Sequence, residues 1–176
     1  MASSTRLTIG IECESLEQDT WGIARMTRQA LEEIARDPDL HRDTTYILYS
    51  KRPLPSDPLF DTPCFVRRPL APSWLPSFSL YYYILLPLRM IWDGLSSMYL
   101  PNYMLPWPST VPTLVMLTDD IWYESRNPKL PLRYRLAYRF FAVTLASRFA
   151  TRIMAISEAS KRELVRLLSI PADRID

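Results

Sequence analysis

The sequence predicts an α/β domain, doubly wound about a mostly parallel sheet with helices on both faces, and three observations carry that reading. Short apolar runs alternate with amphipathic stretches along the whole chain, the order that builds β-α-β units. One run, Thr113 to Leu117, is continuously apolar, as expected of a strand buried on both faces of a parallel sheet. The chain has 176 residues, 48% of them hydrophobic and 23% charged, enough for one sizeable core in a single domain.

Arg6 to Glu12 reads as a buried first strand that ends in acidic residues. Gly22 to Arg36 follows as a helix with Ile23, Met26, Ala30 and Ile34 at helical spacing as its inward stripe, and Asp37-Pro38 stops it. Thr45 to Tyr49 is a strand by its β-preferring residues, and Cys64 to Val66 is a weaker one beyond a proline-rich loop. Ser73 to Trp92 is densely aromatic and apolar, but Pro76, Pro87 and Arg89 interrupt it, and a spanning helix needs about 20 predominantly apolar residues. It reads as a buried or interfacial helix. Leu95 to Tyr99, Thr113 to Leu117 and Arg152 to Ile156 are further strands, and Leu132 to Phe149 is a long helix carrying four arginines. Ser157 suits the N-cap of a last helix whose inward stripe is Ser160, Leu164, Leu167 and Leu168, ended by Pro171.

Composition narrows the function classes. A net charge of +2 from 21 basic and 19 acidic residues is too balanced for a dedicated nucleic-acid binder, so any basic patch is local. Cys13 and Cys64 have no paired spacing and no secretory signal stands ahead of them, which points to a reduced, cytoplasmic setting. One histidine, His41 in a polar loop, and two distant cysteines make no recognisable zinc site and no Ser-His-Asp or Cys-His set. Neither a metal nor a cofactor is expected.

Four segments and the chain's ending then carry a family resemblance. They are Gly22-Ile23-Ala24-Arg25, Pro101-Asn102-Tyr103-Met104-Leu105-Pro106, the strand end Thr113 to Asp119, and Ala155-Ile156-Ser157-Glu158-Ala159-Ser160-Lys161, followed by Ile170-Pro171-Ala172-Asp173-Arg174-Ile175-Asp176. Their order and spacing resemble the amino-terminal, acceptor-side domain of glycosyltransferase family four, retaining enzymes of the GT-B fold. The resemblance implies a Rossmann-like half of that fold over residues 1 to 176. It also implies a hexose moved from a nucleotide-sugar, as donor substrate, to a glycan or lipid-linked acceptor. Relatives carry a histidine where this chain has Thr118, ahead of Asp119 and a second acid, Asp120. They also continue into a second domain whose paired glutamates and basic residues hold the donor. With that domain absent from residues 1 to 176, the isolated chain is expected to turn over negligibly unless a partner chain supplies the donor wall.

Ligands of open α/β sheets bind outside the carboxyl ends of the strands, so Glu12, Thr118, Asp119 and Asp120 are candidate site residues. Asp119 is the candidate catalytic group, orienting an acceptor hydroxyl or taking its proton; the structural alternative is a cap without chemistry. Thr20-Trp21-Gly22-Ile23 leads into a helix start where free amides favour a diphosphate, and Gly22 permits close approach while Arg25 pairs with phosphate or lies on a solvated face. Asn102 joins this cleft through the resemblance, and Ser157 and Glu158 lie near it at another strand end, with capping and a Glu158–Arg162 pair as their plainer roles.

The aromatic stretch, with Arg133, Arg135, Arg139 and Arg148, fits either core packing or contact with the inner face of an anionic membrane. Two further readings stay open beside the transferase. One is a non-catalytic interaction or membrane-surface module, which Thr118 favours, and the other a receiver-like domain with Asp119 and Asp120 as its acidic pocket.

Overall fold

A computed structural model describes residues 6–17, 22–71 and 80–176. Six strands form one sheet in the order β3-β2-β1-β4-β5-β6, every neighbouring pair parallel. They are β1 (Leu7–Glu12), β2 (Thr44–Ser50), β3 (Phe65–Pro69), β4 (Ser97–Leu100), β5 (Thr113–Leu117) and β6 (Arg152–Ala155). This is the doubly wound, Rossmann-like α/β fold, and its strand order reverses between β1 and β4. Beyond β6, Ile175 makes a parallel bridge to Ile153, and Arg152 pairs with Asp176.

Alternation along β2 shows how the two faces are filled. Tyr46 and Leu48 enter one apolar cluster with Ala24 and Leu31 of α1 (Gly22–Arg36), whereas Ile47 and Tyr49 enter the other. The second cluster is covered by α3 (Tyr81–Trp92) and α5 (Leu132–Phe149), with Leu164 of α6 (Glu158–Leu168). Helix α3 runs as a π-helix over Tyr81–Leu85 and an α-helix over Leu86–Trp92. Helix α5 is α-helical over Leu132–Tyr138, π-helical over Arg139–Ala146, and α-helical again over Ser147–Phe149. Within its wide turn the Thr144 hydroxyl donates to the Arg139 carbonyl five residues back, at 3.0 Å, the reach expected of a π-bulge. Short helices α2 (Pro38–His41) and α4 (Asp120–Glu124) and the terminal α6 (Glu158–Leu168) complete the set.

Gly10 is the one glycine whose missing side chain the core requires. A methyl group there would sit 2.5 Å from Met98 Sδ, 2.8 Å from Leu95 Cδ1 and 3.0 Å from Tyr49 Cε2. The Tyr49 ring crosses beside it, and its hydroxyl donates to Asp93 at 2.8 Å, where Arg89 also donates.

Several expectations are refined. Helix α1 buries Ala24, Thr27 and Leu31, while Met26 is exposed and Ile23 and Ala30 are half-buried. The buried face is thus rotated from the Ile23-Met26-Ala30 stripe and runs through Ala24, Thr27 and Leu31 at helical spacings of three and four; Ile34 does reach the core. Strand β4 begins at Ser97 rather than Leu95, since Gly94 takes φ +62° and Leu95 turns into the core. On α6 the ion pair that forms is Glu163–Arg166, and among the described residues Glu158 and Arg162 make none. Thr20, Trp21, Trp74, Pro76 and Phe78, which belong to the expected phosphate loop and aromatic stretch, lie outside the described residues.

Candidate functional site

The reversal between β1 and β4 opens a crevice at their carboxyl ends, and the chain fills it with polar side chains. A short 3₁₀ turn, Glu14–Glu17, follows β1 directly and brings Glu14, Ser15 and Glu17 to the rim. From β2 come Lys51 and Arg52, from the first turn of α1 comes Ile23, and beyond β4 comes Asn102. Together these seven residues line a pocket of about 310 Å³, at the small end of the roughly 300–1,000 Å³ range for small-molecule sites.

Beneath the pocket lies Glu12, fully buried. It accepts hydrogen bonds from the Glu14 amide (2.6 Å), the Asn102 side-chain amide (2.8 Å) and the Tyr81 hydroxyl (3.4 Å). Burial, the largest influence, and the neighbouring Glu14 carboxylate outweigh those bonds, and the Glu12 pKa is pushed up to about 8. The buried hydroxyls of Tyr81 and Tyr82 are likewise driven well above the usual phenol range, by burial first and by the Glu12 charge second.

Asn102 ties the layers together. Its Nδ2 donates to Glu12 Oε2 at 2.8 Å and to the Tyr82 hydroxyl at 2.9 Å, and its Oδ1 accepts from the Met104 amide at 2.8 Å. Both amide protons are therefore committed inward, so Asn102 shapes the pocket wall as a strut. The Tyr82 hydroxyl in turn donates to Glu14 Oε2 at 3.0 Å.

Glu17 closes the far side. Its Oε1 accepts from the backbone amides of Lys51 (2.6 Å) and Arg52 (2.8 Å), pinning the turn after β1 to the end of β2. Burial raises the carboxyl pKa of both Glu14 and Glu17, against the lowering pull of Tyr82 on Glu14 and of the Arg52 and Lys51 amides on Glu17. The rim thus alternates carboxylate acceptors with cationic donors, which suits a polyhydroxylated ligand better than an apolar one. Among the described residues no three His, Cys, Asp or Glu side chains gather so as to hold a metal ion.

The other candidates spread along the same edge. Gly22 is exposed at the start of α1, where an added methyl would meet nothing within 4 Å, and Arg25 is exposed one turn on. Thr118 and Asp119 are half-buried beyond β5, and Asp120 is exposed in the first turn of α4. The Asp119 side chain makes no cap hydrogen bond; only its carbonyl accepts, from the Trp122 amide at 3.1 Å. Ser157 caps α6 by accepting from the Ser160 amide at 3.1 Å, and Glu158 is exposed beside it. Ile23 and Asn102 therefore line the pocket, Glu12 lies under it, and Asp119 and Ser157 stand at β5 and β6.

Sequence reasoning missed Glu14, Glu17, Lys51, Arg52, Tyr81 and Tyr82. The rule about carboxyl ends of strands, applied to Thr45–Tyr49, points to Lys51 and Arg52 just beyond it, and the acids at 12, 14 and 17 follow one strand end. Tyr81 and Tyr82 carry no such local signal.

Fold and crevice define a doubly wound α/β domain with a polar pocket at its topological switch point. Neither a family model nor a curated protein matches the chain. Among solved structures it is similar to a glycosyltransferase from Rickettsia africae ESF-5, at 13% identity and a TM-score of 0.47. That likeness covers 97% of this chain and 42% of the other, so the chain spans less than half its length. The strand order and pairing of this chain, rather than the neighbour, define its fold.

Proposed function

We propose that this chain forms the acceptor-side wall of a retaining hexosyltransferase, binding a glycan or lipid-linked sugar in the β1/β4 crevice. In this reading a second Rossmann-like domain holds the nucleotide-sugar across the cleft. The observation that carries the reading is the pocket lining: Glu14 and Glu17 offer acceptors and Lys51 and Arg52 donors around one small space, the pattern that sugar hydroxyls satisfy. Ile23 and Asn102, which the family resemblance singles out, belong to the same lining.

Asp119 is the group proposed to orient the acceptor hydroxyl or take its proton. It lies just beyond β5, two strands along from β1, a separation of about 10 Å at normal strand spacing. An acceptor seated by Glu14 and Glu17 and reacting at Asp119 must therefore extend beyond a single ring. Gly22 and Arg25, at the start of α1, are proposed to face the donor's diphosphate.

Isoleucine-methyl NMR tests the acceptor site directly. Titration with short oligosaccharides is expected to shift the Ile23 methyl signal. An Ile23 signal indifferent to a broad panel of saccharides would sink the assignment. For the chemistry, transfer from labelled nucleotide-sugar is expected to be negligible with the chain alone and to appear when a donor-binding domain is added. Asp119→Asn is expected to abolish it; full activity in that variant removes Asp119 from the site.

A further inference from the structure

Helices α3 and α5 each bury one face and leave the other bare. On α3, Tyr81, Tyr82, Leu86 and Met90 are in the core, while Ile84 (50%), Leu88 (44%), Ile91 (54%) and Trp92 (72%) are exposed. Their spacing of four, three and one residues makes a single stripe. On α5, Leu132 (62%), Leu136 (55%) and Phe140 (53%) repeat every four residues on the outside, with Tyr134 beside them. Nine of the sixteen large apolar side chains exposed among the described residues fall on these two helices. Such concentration marks an interaction surface, where scattered apolar residues would not.

The stripes meet. Tyr83 stacks on Phe141 with centroids 5.1 Å apart, and Phe141 contacts Phe140 edge-on at 5.0 Å. Ile84 and Phe140 thus flank one ring contact, from which both stripes extend.

Charge identifies what the surface fits. From Arg126 to Phe149 the chain carries Arg126, Lys129, Arg133, Arg135, Arg139 and Arg148 and not one acid. None of these six cations is in an ion pair among the described residues. On α3 the only charge is Arg89, which is neutralised by Asp93. A polyanion such as nucleic acid would meet the cations but leave the apolar stripes in water. An anionic bilayer surface offers phosphates to the arginines and acyl boundary to Ile84, Ile91, Trp92, Leu136 and Phe140 together. No helix among the described residues is long and apolar enough to cross a membrane, and an amphipathic helix that contacts a bilayer without crossing it lies in the interface plane.

We propose that α3 and α5 dock this protein on an anionic membrane surface, whatever reaction the β1/β4 crevice performs. The test is cosedimentation with phosphatidylcholine vesicles containing about one third phosphatidylglycerol, at about 0.1 M salt. Binding is expected to fall at least about fivefold with pure phosphatidylcholine or at about 1 M salt. Two sets of surface variants, Ile91→Ser with Leu136→Ser and Phe140→Ser, and Arg133→Gln with Arg139→Gln, should each weaken it while leaving the circular dichroism spectrum unchanged. Brominated acyl chains should quench tryptophan emission in the native protein and do so less in Trp92→Phe. No sedimentation with anionic vesicles would overturn the proposal. So would binding that the arginine variants weaken and the serine variants leave intact, which describes a polyanion site. A dimer in velocity sedimentation that the serine variants convert to monomer, with vesicle binding unchanged, would assign the stripes to a second copy of the chain and overturn it equally.

Discussion

Two stretches of one sheet edge present carboxylates in opposite ways. At β1, Glu12 is fully buried and held by a backbone amide, the Asn102 amide and a tyrosine hydroxyl, and its proton is retained up to about pH 8. At β5, Asp119 is half-buried and its side chain caps nothing. Position at a strand's carboxyl end therefore does not settle a carboxylate's role, and what packs around it does. Tyr81 and Tyr82 of α3 roof the first acid and make it part of the fold. The second is half-buried beyond β5 with no side-chain capping bond.

The sharpest way to break this contrast is to remove the buried proton. Because the folded pKa of Glu12 is raised, the folded chain holds a proton that the unfolded chain has released between an ordinary carboxyl value of about 4.3 and a value of about 8. Stability is therefore full below that window and falls as pH climbs through it. Glu14 and Glu17 shift the same way and steepen the slope. Glu12→Gln is expected to remove most of the dependence, a change on the order of a few kcal/mol between pH 5 and 8. Thermal unfolding across that range reads it, and an undiminished slope would show that Glu12 is ionised in the fold.

A smaller loss is expected from Asn102→Ala. The substitution strips partners from Glu12 Oε2, the Tyr82 hydroxyl and the Met104 amide at once. Each buried polar group left unpaired costs about 1–3 kcal/mol, and water entering from the pocket restores some, so about 2 kcal/mol overall is expected in urea unfolding. Its saccharide affinity should fall too, through misplacement of Glu14. A loss under about 0.5 kcal/mol would mean the layers are not coupled through this side chain.

Where the chemistry is local, the sequence read well. The run Thr113 to Leu117 and the helix Gly22 to Arg36 have the bounds that period and stop signals indicate, and Ser157 caps the last helix as its side chain suggests. What escaped was long-range or dihedral. The Glu12 network joins residues 69, 90 and 2 positions apart, and only the strand order brings them together. The π turns of α3 and α5 change which residues face inward without changing composition, so one aromatic stretch supplies both core (Tyr81, Tyr82) and surface (Ile84, Trp92).

The smallest expected effect on stability is the most informative about function. Ser157→Ala should cost about 1 kcal/mol, because its hydroxyl satisfies the free Ser160 amide at the start of α6. Asp119 occupies the matching place before α4, but its side chain donates no such support. Asp119→Asn is therefore expected to change stability by less than about 0.5 kcal/mol, the usual range for a surface substitution. If the same variant abolishes sugar transfer in the reconstituted enzyme, the carboxylate acts on the acceptor and not on the fold. A stability loss as large as that of Ser157→Ala would instead make Asp119 a structural residue, and the contrast between the two strand ends would disappear.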